Sequence, residues 1–160
     1  MATVLLALLL ATSFPSTSKT SWMSPQSFRL IIGMTRIEAL RALEGSGWAV
    51  KEGRGKDQLV VDYSDDKAMT LDFKRERLRS VRFELFAILP EIRVAFIEQK
   101  QLLQKAHGLP KKTNEKSVVI YDDRLPNIIV VLSDDPKSDH GQRGLGFLAV
   151  RYYDPVVVKQ

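Results

Sequence analysis

Apolar and polar residues alternate along three neighbouring stretches in the first half of the chain. The apolar positions are Leu59, Val61 and Tyr63, then Met69, Leu71 and Phe73, then Val81, Phe83 and Leu85. A period of two is typical of β-strands with one buried face and one solvent face. The connections between them are short enough for hairpins, so the pattern predicts an antiparallel meander. The solvent-facing side of this sheet would carry Asp62, Thr70, Asp72, Ser80, Arg82 and Glu84.

A helix is predicted immediately before these strands. Thr35 and Glu38 have the spacing of a capping box, in which each residue caps the backbone N–H of the other. The helix therefore begins at Thr35, and glycines at positions 45 and 47 end it. Its core face is predicted to carry Ile37, Ala39, Leu40 and Leu43. Trp48 follows directly, and we expect it to pack into the core.

The same order of elements returns in the second half. Pro90 and Glu91 suit the first turn of a second helix, which Gly108 and Pro110 end. One face of this helix is formed by Ile92, Ala95, Phe96, Gln99, Leu102, Leu103 and Ala106. Three further strands are predicted at residues 118–121, 127–132 and 147–153.

These elements predict an α+β fold in one domain, residues 28–160. Two helices pack on one face of an antiparallel sheet of about six strands. The third strands of the two halves, Val81-Arg82-Phe83 and Val150-Arg151-Tyr152, lie 69 residues apart. We interpret the halves, 28–90 and 91–155, as tandem repeats of one helix and three strands. The alternative is a chance likeness between two halves of equal length.

The N-terminus has the pattern of an export signal. Residues 4–11 read VLLALLLA, which is too short to span a membrane, and small and polar residues follow. We predict a signal peptide over residues 1–13 and a flexible leader over 14–27, giving a secreted or periplasmic protein without a membrane span after cleavage. The alternative is a disordered or misassigned start, with Met23 or Met34 as the real initiator. Without cysteine the chain cannot be an acylated lipoprotein.

Composition narrows the chemistry. The 160 residues include no cysteine and two histidines, which leaves little material for metal or acid–base centres. The net charge of +5 is spread along the chain, and no nucleic-acid-reading motif accompanies it. We therefore expect neither a cofactor nor a nucleic-acid partner.

The 133–146 loop is the one long connection. It concentrates the possible metal ligands Asp134, Asp135, Asp139 and His140. Their spacing fits no calcium loop, so a metal-binding protein or small exported hydrolase using this loop is an alternative and not the expectation.

The last strand offers a surface for a partner. If Leu148, Val150 and Tyr152 face the core, then Phe147, Arg151 and Tyr153 share the other face with Arg82 of the first half. Tyr and Arg are enriched where interfaces are anchored. The alternative is burial of these residues against residues 156–158 or the neighbouring repeat.

The stretch IGMTRIEAL at residues 32–40, followed by Gly47-Trp48 and three strands, resembles the opening of a superfamily of small bacterial envelope domains. That superfamily includes the accessory lipoprotein of the outer-membrane barrel-assembly machine and, as a tandem pair, the β-lactamase inhibitory proteins. The resemblance covers residues 30–86 directly and 91–154 through the repeat. It implies helices on one face of an antiparallel sheet and a binding role without catalytic residues. The lack of cysteine departs from both relatives, so neither specific function carries over.

The sequence thus predicts an exported, non-enzymatic module that binds another envelope or secreted protein or helps to assemble the envelope. A purely structural domain, whose free sheet face is solvated and binds nothing, is the rival hypothesis.

Overall fold

The structure is a computed structural model that describes residues 20–110, 112–113, 117–120, 127–133 and 144–154, with the backbone alone between 112 and 133. In chain order the elements are a 3₁₀ turn (Pro25–Phe28), α1 (Arg36–Leu43), β1 (Ala49–Gly53), β2 (Gly55–Ser64), β3 (Lys67–Lys74), β4 (Arg77–Ile88), α2 (Leu89–His107), β5 (Lys112–Thr113), β6 (Ser117–Ile120), β7 (Asn127–Ser133) and β8 (Leu145–Tyr153).

The described strands form a single antiparallel sheet in the order β1-β2-β3-β4-β8-β7-β6-β5. The predicted α+β class with an antiparallel sheet and two helices is confirmed. The sheet has eight strands rather than about six, because β1 and the two-residue β5 extend its edges. The sequence pattern does not predict β1, which pairs with β2 through a register that shifts at Gly53.

α1 begins as the sequence predicts. Thr35 is its N-cap, the Glu38 carboxylate accepts the Thr35 backbone N–H at 2.6 Å, and the Glu38 N–H donates to the Thr35 hydroxyl at 3.2 Å. The expected core face is wrong at one position, since Ile37 is 62% exposed while Ala39 and Leu43 are buried. The buried stripe is narrow because α1 is only eight residues long.

α2 carries most of the helical packing. Its buried residues are Ile92, Ala95, Phe96, Gln99 and Leu103. The four apolar ones join one core cluster with inward residues of β2, β3, β4 and β8, among them Phe83, Leu148 and Val150. Ala39 and Leu43 of α1 belong to the same cluster, so both helices lie on the same face of the sheet.

The turn between β3 and β4 is tight and strained. Arg75 and Glu76 both have positive φ, 51° and 59° respectively. Arg29 is the other described non-glycine residue with a positive φ, 57°. A two-residue hairpin of type I′ requires this conformation at both central residues, and Asn-Gly adopts it at the lowest cost. The turn also fixes the start of α1, because the Glu76 carbonyl accepts the Arg36 N–H at 3.0 Å and Leu78 exchanges backbone bonds with Gly33 and Met34.

Part of the expected flexible leader belongs to the folded domain. Met23 is fully buried, and its carbonyl accepts a hydrogen bond from the Tyr152 hydroxyl at 3.1 Å. Trp22 packs edge-on against Phe83 with ring centroids 5.8 Å apart. The domain therefore begins by Thr20 rather than at Phe28, since an apolar side chain at position 23 gains more from the core than the Ser/Thr/Pro context suggests. Residues 1–19, with the expected signal peptide, lie outside the described residues.

Trp48 has the core role that the sequence predicts. Its ring centroid lies 5.0 Å from that of Phe28, 5.6 Å from Trp22 and 4.8 Å from Tyr63. These rings close the end of the core beside β2 and β4. In the described part of the chain, neither helix combines the length and apolar character that a membrane-spanning segment requires.

The open sheet face as a candidate binding surface

The candidate residues of β4 and β8 share the side of the sheet opposite both helices. We call this side the open face; its residues on these strands are Ser80, Arg82, Glu84 and Phe86 of β4, and Phe147, Ala149, Arg151 and Tyr153 of β8. Leu148, Val150 and Tyr152 are buried in the core, as the sequence predicts. Strand alternation then places Phe147, Arg151 and Tyr153 outward.

Arg151 is held at the centre of the open face by three neighbours. Its Nε donates to the Ser80 hydroxyl at 2.8 Å, and its Nη2 lies 3.9 Å from Oδ2 of Asp72. Its guanidinium carbon lies 5.5 Å from the centre of the Tyr153 ring, within cation–π range. Even so, 45% of its side chain is exposed. Arg151 thus presents a fixed, charged, planar group to solvent.

Arg82 lies directly opposite Arg151 in the pairing of β4 with β8. Like charges in opposed positions destabilise a sheet unless each is compensated. Arg82 is compensated by Glu84 of its own strand, with Nη2 3.0 Å from Oε1, and Arg151 by Asp72 of β3. The two guanidinium groups therefore pair with different carboxylates, and nearly half of each side chain stays accessible.

The carboxylate that serves Arg151 is itself positioned. Oδ1 of Asp72 accepts a hydrogen bond from Nε2 of Gln58 on β2 at 2.9 Å. Further along the same face, Lys51 of β1 forms an ion pair with Asp62 of β2. The described cations Lys51, Arg82 and Arg151 are thus each matched by a carboxylate of the same face.

One end of the open face is apolar. Phe86 and Phe147 are opposed in the register, and their ring centroids lie 6.2 Å apart at an angle of 37°. Both rings are only partly buried, and Ile88 beyond them is 50% exposed. The open face therefore joins an apolar end to a charged centre.

At the opposite end of the open face, Asp154, the last described residue, is bonded to Arg79 of β4. The Asp154 N–H donates to the Arg79 carbonyl at 3.0 Å, and Nη1 of Arg79 donates to the Asp154 carboxylate at 3.0 Å. This double link fixes the end of β8 and with it the position of Tyr153. Tyr153 is partly buried and stacks near Arg151, so the predicted Arg151–Tyr153 pair does come together.

Phe147 lies apart from that pair. It is four residues from Arg151 along β8 and contacts Phe86 instead. Phe86 was not among the residues that the sequence identified, although the alternation Arg82, Glu84, Phe86 points to it. The apolar run at residues 85–89 obscured that alternation by ending the predicted strand at Leu85.

Asp134, Asp135, Asp139 and His140 lie outside the described residues. Among the residues that are described, no three His, Asp or Glu side chains are grouped closely enough to hold a metal ion.

Comparison with known proteins yields no family model, no curated protein and no solved structure that matches this chain.

Proposed function

We propose that this protein is an exported, non-enzymatic module that binds a partner protein through the open face. The observation that carries the proposal is the fixation of Arg151 by Ser80, Asp72 and Tyr153 while nearly half of its side chain stays exposed.

Pre-ordering favours binding for a physical reason. A free arginine loses side-chain entropy worth about 0.5–1.5 kcal/mol when an interface immobilises it. Arg151 has already lost much of that freedom in the isolated domain. Arginine and aromatic side chains are also the residues that most often dominate binding energy, and Phe86 with Phe147 supplies an apolar anchor on the same face.

We further propose that the two halves of the domain are tandem repeats. One row of paired positions crosses the sheet, and it reads Lys51, Val60, Thr70, Arg82, Arg151, Ile129, Val119, Lys112. Read outward from its centre, each half gives Arg, a β-branched residue, Val and Lys.

The register of the central strands supports the same proposal. Arg82 and Arg151 are opposed, and around them Val81 pairs with Tyr152 and Phe83 pairs with Val150. Arg82 and Arg151 lie 69 residues apart in the sequence. A two-fold rotation that places each residue of β4 on the residue 69 positions later in β8 leaves these pairs unchanged. Four strands follow each helix. Across the sheet, β1-β2-β3-β4 of the first half are followed by β8-β7-β6-β5 of the second half, so the second half has the same strand order in reverse.

The envelope location rests on residues 4–11 and on the resemblance of residues 32–40 to envelope domains. The structure describes the second of these stretches, where Thr35 caps α1 and Gly33 has a φ of 97°. Such a φ favours glycine, which gives the Gly-Met-Thr motif a conformational role at the helix entry.

A photo-crosslinking amino acid at Phe147, in the full chain in its native cells, tests the binding role. The matched control carries the same amino acid at Tyr63, which is 55% exposed beside the helical side of the sheet. We expect one discrete crosslinked protein from position 147 that is absent from position 63.

Adding Arg151→Ala to the Phe147 crosslinker variant should reduce the yield of that product about tenfold or more, as for a hot-spot arginine. Arg41 is an exposed residue of α1, and Arg41→Ala should leave the yield unchanged. A crosslink that is equally strong from both positions, no crosslink at all, or insensitivity to Arg151→Ala in a protein with unchanged circular dichroism would each overturn the proposal.

A further inference from the structure

A cavity lies on the helical side of the sheet, between α2 and the segment that precedes the 3₁₀ turn. Its volume is about 380 Å³, within the range of small-molecule sites. The walls that matter here are Met23, Gln99, Leu102, Leu103, Ala106 and Tyr152. It is separated from the open face by the sheet itself.

The feature that sets this cavity apart is a buried amide. Gln99 is 3% exposed, and its Oε1 accepts no hydrogen bond from any residue that the structure describes. A buried acceptor without a partner costs about 1–3 kcal/mol, so such groups are rare unless something else satisfies them. Gln99 lines the cavity, and the terminal torsion of glutamine has a broad range, so rotation of the amide is the movement that would bring Oε1 to the cavity.

The opposite wall is fixed in place. The Tyr152 hydroxyl donates to the Met23 carbonyl at 3.1 Å, and the Tyr152 ring packs edge-on against Phe83 with centroids 6.0 Å apart. Burial raises the pKa of Tyr152, so its hydroxyl keeps the proton that makes this bond. Because the bond holds the backbone at Met23, the wall resists collapse onto α2.

We propose that this cavity binds a small neutral molecule that has an N–H or O–H donor at one end of an apolar body. The donor pairs with Oε1 of Gln99, and the apolar part lies against Met23, Leu103 and Ala106. None of the described residues that line the cavity is acidic, which disfavours a cationic donor. Leu102 is 38% exposed and Ala106 is exposed, so they form the mouth through which the molecule enters.

Hexanamide is a suitable probe, because it has a primary amide on a short alkyl chain. Titration of the full chain with hexanamide, followed by NMR, should shift the Gln99 side-chain amide signals and the methyl signals of Met23 and Leu103. N,N-dimethylhexanamide retains the carbonyl but lacks the N–H, and we expect it to bind more weakly by about two- to tenfold, the value of one hydrogen bond.

Gln99→Met preserves shape and helix propensity while removing the acceptor. In this variant hexanamide should lose the same two- to tenfold in affinity, and the two probes should bind equally. Gln101→Met, on the exposed side of α2, is the matched control and should leave both affinities unchanged. Equal affinity of hexanamide for the parent and for Gln99→Met would overturn the proposal, as would the absence of shifts at these residues up to the solubility limit, the result expected if the cavity holds water only.

Discussion

Met23→Ala tests whether the segment before the 3₁₀ turn is part of the folding unit. The Met23 side chain is fully buried in the main core cluster, although the surrounding sequence has the composition of a linker. Truncating a buried methionine to alanine costs about 2–5 kcal/mol through lost transfer energy and the void that is left. The backbone bond from Tyr152 to residue 23 is retained, and one side of the segment borders a cavity that the chain can relax into. We therefore expect a loss in the lower part of that range, about 2–3 kcal/mol.

Urea unfolding of the full chain measures this loss. For an m-value of about 2 kcal/mol/M, the midpoint should fall by about 1–1.5 M. The two tryptophans of the chain, Trp22 and Trp48, lie 5.6 Å apart in this region, so their fluorescence reports on it directly. Far-ultraviolet circular dichroism reports on the sheet. If the segment is integral, the two signals should change together in the parent.

Ile31→Ala is the matched control, since Ile31 is an aliphatic residue shortly after the 3₁₀ turn that is 69% exposed. Its effect should stay within about 0.5 kcal/mol. The reasoning would be refuted if Met23→Ala were as mild as Ile31→Ala, or if fluorescence in the parent changed well before circular dichroism, because either result would describe a leader that detaches from a stable sheet.

Three further substitutions test other features of the fold. Gln99→Met should raise the free energy of unfolding by about 1–3 kcal/mol, because it removes an unsatisfied buried acceptor, and thermal unfolding would show it; a destabilised variant would mean that Oε1 is satisfied in solution. Glu76→Gly should raise the free energy of unfolding by about 0.5–1 kcal/mol, because glycine adopts a positive φ at lower cost than glutamate. A lower free energy of unfolding in urea would count against strain in this turn. The backbone and side-chain bonds from Thr35 lower the pKa of Glu38 from its ordinary 4.5, so its contribution to stability is present above pH 4.5 and is lost as the pH falls through the lowered pKa. Thermal unfolding at several pH values should therefore show the parent's advantage over Glu38→Gln shrinking on acidification, and a constant gap would contradict this assignment.

The sequence predicts those parts of the fold that local chemistry decides. The capping box at Thr35 and the alternation of β2, β3 and β4 depend on neighbours within a few residues, and for that reason they can be predicted from the sequence. β1 was missed because it lies at the sheet edge, where Val50 and Lys51 are exposed and no alternation of burial is imposed on the sequence.

The errors at Met23 and Ile37 have the opposite cause. Whether these apolar residues are buried depends on where the 3₁₀ turn and α1 dock on the sheet, which is decided by partners such as Tyr152 more than a hundred residues away. For the candidate site, alternation placed Arg82, Phe147, Arg151 and Tyr153 on one face. It could not supply the register that sets Arg82 opposite Arg151 and Phe86 beside Phe147.

The pairing of β4 with β8 has a consequence for how the chain folds. β1 to β4 are joined by successive hairpins, and each of these contacts closes a short loop. β4 and β8 are opposed across a much longer stretch of chain, which includes the whole of α2. The loop-closure entropy of that contact is the largest in the sheet, and contacts of long sequence separation slow folding. We therefore expect the central seam to form late, and until it forms each half would expose the backbone groups of one inner strand as an unpaired edge, the kind of edge that recruits other chains.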